Sequence, residues 1–219
     1  MVKPSKRVES IELSQIRKMF EATNPDAINL GIGEPDFPVP RNIKESMKQA
    51  INEDYTHYTP NKGFEDLRLK ICEKFKKDNK ITTTPDNVIV TSGASEALYD
   101  CAQALFEKGD DVLIQDPVST PLEDDFKLKA DSVNELISPN TKAIIINSPC
   151  NPTGAVIDKK DIKGICELAE DHDFMIISDE IYEKIIYGDN KHYSPGAYTD
   201  NVITLNGFSK TYAMTGLRI

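Results

Sequence analysis

The sequence predicts an α/β protein with a mainly parallel sheet flanked by helices, preceded by an N-terminal arm. Three observations carry that expectation. From Val88 onward, short apolar, β-prone runs (NVIV, DVLIQ, AIIIN, FMIIS, VITLN) alternate with stretches of helical character. The runs do not alternate apolar with polar residues, as is typical of strands covered on both faces. The helical stretches between them supply the crossovers that parallel strands require.

At the N-terminus, Ile11, Ile16, Met19 and Phe20 recur roughly as on one face of a helix. Residues 1–28 are therefore expected to form an arm on the small-domain side, and residues 29–219 a large domain. The arm ends near Asn24-Pro25. The following AINLGIGEPDFPVP carries two glycines and three prolines, which exclude regular structure. A helix is expected after Pro40, another from about Phe64 to Lys77, and a third from about Ser95 to Lys108, with Leu98, Cys101, Ala102 and Leu105 on its apolar side. NVIV precedes that third helix as the first expected strand. DVLIQ and AIIIN come next, then a helix from Asp158, then FMIIS and VITLN.

Composition narrows the function classes. A net charge of −10 without any basic run argues against nucleic acid or an anionic membrane as a partner. Cys72, Cys101, Cys150 and Cys166 form no CxxC pair and do not cluster with His57, His172 or His192, so neither a metal site nor a disulfide framework is expected. A soluble protein of the reduced cytoplasm fits these features, with no apolar stretch of membrane-spanning length.

In parallel sheets, ligands sit at the carboxyl ends of strands. Here those positions carry SGAS, DP, NSPCNPTG, DEIY and GFSK. Two familiar phosphate motifs fail. LGIGEPDF has Asp36 where GxGxxG needs glycine, and GFSKT has Ser209 and Thr204 where a Walker loop needs its glycines. TSGASEAL places small residues at a helix start, where unpaired N–H groups favour phosphate, although taken by itself Ser95 reads first as a plain helix cap. Asp179 taken alone reads as a cap or a surface ion-pair partner. The company of Asn151, Tyr182, Lys210 and Arg218 at strand ends of one sheet favours a ligand site.

SGASEAL, NSPCNPTGAV, SDEIYEKIIY and NGFSKTYAMTGLR, in that order, resemble the class I aminotransferases of fold type I, which use pyridoxal 5′-phosphate. LGIGEPDFPVP and THYTPNKGFEDLR resemble the subgroup containing bacterial and archaeal aspartate and aromatic aminotransferases. The resemblance implies a role for each matching residue. Lys210 would form the Schiff base with the cofactor aldehyde and move protons. Asp179 would face the pyridine nitrogen, and Tyr182 with Asn151 would bond the phenolic oxygen. Backbone N–H groups of Gly93, Ala94 and Ser95, the Ser209 hydroxyl and the Arg218 guanidinium would hold the phosphate. Gly33 and Asn151 would meet the substrate, with Gly33 bringing backbone close to its α-carboxylate. Tyr58 would reach the phosphate in a neighbouring subunit, which implies a homodimer.

The resemblance further implies transfer of an amino group from an L-amino acid, aspartate first and an aromatic one second, to a 2-oxo acid such as 2-oxoglutarate. A β-lyase, a decarboxylase or a non-catalytic cofactor-binding partial domain is the alternative. Two departures stand out. After Asp116-Pro117, members of the family carry a longer connection with a ring-stacking aromatic, where this chain offers only Phe126. Members also continue beyond the arginine into further strands and a small domain bearing a substrate-carboxylate arginine, which Arg17, Arg41 and Arg68 do not replace. The intact motifs favour a partial sequence over a decayed gene product.

Overall fold

The structure, a computed structural model, describes residues 3, 5–9, 28, 31, 33–115 and 126–219. The arm helix expected around residues 11–20 and the connection at 116–122 lie outside the described residues. The chain divides into two units, residues 1–37 and 38–219. In the first unit, α1 is a single helical turn, Lys6–Glu9.

The second unit begins with α2 (Arg41–Asn52) and α3 (Glu65–Lys74), which continues into a wider π-helical turn, Phe75–Asn79. Then come α4 (Ala94–Leu105), β1 (Asp111–Ile114), α5 (Ala130–Asn134), β2 (Thr141–Asn147), α6 (Lys159–Asp171), β3 (Met175–Asp179) and β4 (Val202–Leu205). The four strands are parallel and lie in chain order. Asn147 pairs with Asp179, and Asp179 with Leu205, so β2, β3 and β4 end level with one another. Their following turns therefore leave one edge of the sheet together.

The core forms where α6 covers the sheet. Ile162, Ile165, Cys166 and Ala169 recur at helical spacing and are buried against Ile144, Ile146 and Ile176 of the central strands. Each such isoleucine contributes roughly 1.5–3 kcal/mol. Helices α5 and α6 approach closely at Gly164, where a Cβ would lie 2.6 Å from that of Ala130. Coverage on both faces holds for β2 and β3 but not for β1, an edge strand with exposed ends.

One expected strand is corrected. NVIV is extended at Val88 but forms no rung of the described sheet, and the Val90 N–H donates instead to the Lys62 carbonyl at 3.1 Å. The run has strand chemistry without a strand neighbour, and β propensity does not create a ladder by itself. Between residues 88–91, α3, α4 and β4 lies a cavity of about 600 Å³, lined by apolar groups including Ile71, Phe75, Val90, Leu105 and Leu205. Neither α3 nor α4 has a buried residue.

Candidate active site

Asn147, the last residue of β2, ties three strand ends together. Its Nδ2 donates to the Asp179 carbonyl at 3.1 Å, its Oδ1 accepts the Asn151 N–H at 2.7 Å, and its own N–H donates to Gln115 Oε1 at 3.3 Å. This places Asn151, in a turn with cis bonds at Ser148-Pro149 and Asn151-Pro152, beside the segment after β3. There Asn151 Nδ2 donates to the Tyr182 hydroxyl at 3.3 Å. Lys210 Nζ stands 5.6 Å from the centre of the Tyr182 ring, within cation–π range. Asn151, Tyr182 and Lys210 are thus brought together, with Asp179 at the root of the same turn.

The electrostatics follow from burial. Desolvation pushes the Asp179 carboxyl above the usual carboxylate range; the Ile181 N–H, donated to Oδ1 at 3.2 Å, opposes the shift, and the neighbouring Glu180 charge adds to it. Burial likewise raises the Tyr182 phenol, the Asn151 hydrogen bond lowers it, and the charge of Asp179 raises it again.

A second group surrounds the start of α4. Gly93 is the N-cap, at φ 80 and ψ 168, and no side chain caps the helix, so Ser95 lies in the first turn and is not the cap. The Ser92 N–H donates to the Glu96 carboxylate and the Gly93 N–H to the Thr91 carbonyl at 2.8 Å. Ala94 and Ser95 stand where a helix offers their N–H groups no acceptor. Arg218 reaches this point from the other end of the chain. Its NH2 donates to the Ser92 carbonyl at 3.2 Å and its NH1 to the Thr215 carbonyl at 3.0 Å. A Cβ on Gly93 would lie 2.7 Å from the Arg218 NH2, so the glycine leaves room for the guanidinium. Ser209, next to Lys210, is buried. Gly93 and residues 206–208 line the same cavity, which relates the helix start to the loop after β4.

The remaining expected residues are exposed. Tyr58 is fully exposed, at 105%. Gly33 belongs to the first unit, exposed, with nothing within 4 Å of where a Cβ would project. Arg68 donates to the carbonyls of Gly63 and Pro85, while Phe126 is half exposed. Sequence reasoning missed Asn147, whose only signal was its place at the head of NSPCNPTG.

The parallel α/β sheet flanked by helices is the fold of the type I aminotransferases. The chain belongs to the family described as aminotransferase class I and II, which matches residues 25–219. It is 48% identical to a probable aspartate aminotransferase of Methanocaldococcus jannaschii, over 98% of this chain and 61% of that protein. An aromatic-amino-acid aminotransferase of Thermococcus litoralis is 40% identical over 98% of this chain and 61% of its own length. Among solved structures, an aspartate aminotransferase tetra mutant of Thermus thermophilus complexed with tryptophan superposes with a TM-score of 0.92 at 36% identity, over 100% of this chain and 63% of that one. The chain thus spans about 61% of these curated relatives. The alignment with the Methanocaldococcus protein covers 231 positions, more than the chain's 219 residues, so that relative carries internal residues absent here.

Proposed function

We propose that this chain forms the cofactor-holding part of a pyridoxal 5′-phosphate-dependent aminotransferase. It would move the amino group of an L-amino acid, aspartate before an aromatic one, to a 2-oxo acid such as 2-oxoglutarate. The observation that carries the reading is the Gly93–Arg218 cradle, where a glycine-only backbone leaves space for a guanidinium against the start of a helix. Its donors suit a phosphate dianion: the planar guanidinium, the first-turn N–H groups at Ala94 and Ser95, and the Ser209 hydroxyl. The second group suits the rest of the cofactor. Asp179 offers a carboxylate for the ring nitrogen, Tyr182 and Asn151 offer two hydrogen bonds for the phenolic oxygen, and Lys210 offers an amine for the aldehyde.

When bound, the cofactor supplies an electron-withdrawing ring that stabilises the charge left as the substrate Cα loses its proton. This chain's residues do the remainder. Lys210 Nζ would take the proton from the substrate Cα and deliver it to the former aldehyde carbon of the cofactor, the shift that leaves the amino group behind. Asp179 would hold the proton on the ring nitrogen, and the Tyr182–Asn151 pair would hydrogen-bond the phenolic oxygen. The names of the relatives, aspartate and aromatic-amino-acid aminotransferases, support amino transfer over the lyase and decarboxylase alternatives.

The remaining assignments are proposals on the same footing: an arm at residues 1–28, a cytoplasmic setting and a homodimer. No helix among the described residues is long and apolar enough to cross a membrane. The exposed Ile51, Tyr55 and Tyr58 beside α2 support a subunit interface. A sedimentation profile of a monomer at all concentrations would remove the dimer.

The test of function begins with a visible absorbance band on adding pyridoxal phosphate, lost in Lys210→Ala. A band that survives the substitution overturns the role of Lys210. Aspartate and 2-oxoglutarate should then yield glutamate; release of ammonia and pyruvate instead would mark a lyase.

A further inference from the structure

A deeply buried polar cluster among the described residues has no role in the chemistry above. Glu180, between Asp179 and Tyr182, is 0% exposed. Both of its carboxylate oxygens are occupied by donors from separate stretches of chain. Oε1 accepts the hydroxyls of Ser178 at 3.1 Å and Ser194 at 2.7 Å, while Oε2 accepts Asn79 Nδ2 at 2.9 Å and His192 Nε2 at 2.8 Å. Asn79 Nδ2 also donates to Glu183 Oε2 at 2.7 Å. The other Glu183 oxygen pairs with Lys74 Nζ at 2.5 Å, and that ammonium donates to Asn79 Oδ1 at 2.8 Å. Burial pushes the Glu183 carboxyl up, but the hydrogen bonds from Lys74 and Asn79 and the charge of Lys74 outweigh it and hold the group below its usual range.

Glu180, Glu183 and His192 have ligand atoms within 4.8 Å of one another, as a metal site would. Their oxygens already accept the Lys74 ammonium, the Asn79 amide and the two hydroxyls, so a cation would have to displace a positive charge. The cluster is better explained by where it lies. Asn79 closes the π-helical turn after α3, 101 residues from Glu180 in sequence, and its single amide nitrogen grips residues 180 and 183. Tyr182 lies between those grips and Asp179 just before them. A carboxylate is costly to bury unless every lone pair is met, and a network that meets them fixes one backbone arrangement.

We propose that Asn79, through Glu180 and Glu183, is a positioning residue that holds the turn at residues 179–183 so that Asp179 and Tyr182 present their side chains to the cofactor. The claim about the cofactor rests on the function proposed above; the claim about the turn does not. Asn79→Ala in the whole chain tests both. Without cofactor, hydrogen exchange should accelerate at least about tenfold at Ile181, Glu183 and Ile185, whose amides donate to Asp179 Oδ1 and to the carbonyls of Glu180 and Tyr182. Ile165→Val, a core change on α6, should lower the melting temperature without selectively exposing those amides. Pyridoxal phosphate affinity, read by absorbance titration, should weaken about tenfold in Asn79→Ala, and the pH midpoint of the visible band should move. Asn79→Gln, which keeps a carboxamide, should recover part of both effects. If the alanine variant does not fold, Asn79→Ser, with a single hydroxyl donor, gives the same readouts.

Wild-type exchange in the folded variant overturns the positioning role. Faster exchange with unchanged affinity and midpoint overturns its link to the cofactor. A wild-type chain that takes up no pyridoxal phosphate overturns the functional reading instead, and the exchange result still decides whether Asn79 holds the turn.

Discussion

Asp179 and Gly93 show how single residues trade stability for a site. Burial raises the Asp179 pKa in the folded chain above its unfolded value. The native state therefore binds more protons over that interval, and stability falls as pH rises from the usual carboxylate range through the raised value. Asp179→Asn should raise the melting temperature of the cofactor-free chain at neutral pH, with the gain vanishing in acid, while amino transfer falls by on the order of 10²-fold or more. An unchanged melting temperature at neutral pH would contradict the buried-charge account. Gly93 sits in a backbone region essentially reserved for glycine, where another residue costs about 1–3 kcal/mol. Gly93→Ala should lose that much in urea unfolding and weaken pyridoxal phosphate binding about tenfold, because its methyl displaces the Arg218 guanidinium. Lys210 and Asp179 stood out as candidates in the sequence because they follow apolar runs in motifs of fixed order, Asp179 only in the company of the other strand-end residues. Asn147 and Asn79 did not, since the partners that give them their roles are 32 and 101 residues away, and only Asn147 had a local mark, its place at the head of NSPCNPTG.

Among the elements, those whose burial comes from adjacent crossovers were readable. DVLIQ, AIIIN, FMIIS and VITLN all became strands, and the helix from Asp158 packs as its spacing requires. NVIV failed as a strand because a strand is defined by its neighbour, and no periodicity encodes one. The α5–α6 contact offers a test at this scale. Gly164→Ala gains about 1 kcal/mol of helix propensity but drives a methyl to 2.6 Å from Ala130 Cβ, and such overpacking costs about 1–3 kcal/mol. The net effect should be destabilising in a denaturant titration, and adding Ala130→Gly should restore or exceed wild-type stability. A more stable single variant would show that the helices move apart freely.

Across the larger unit, packing is uneven. Against α6 the strands are packed to exclusion of water; along β4 and residues 88–91 a cavity of about 600 Å³ keeps apolar groups unpacked. Unfolding therefore exposes less new apolar surface than a fully packed chain of 219 residues would, and heat capacity tracks that surface. Calorimetry should give an increment clearly below the ~3 kcal/mol/K expected for this length; a value at or above it would mean that the cavity is closed in solution. A small increment flattens the curve of stability against temperature, so the gap beside β4 would leave the chain weakly held across a wide thermal range, with no sharp optimum.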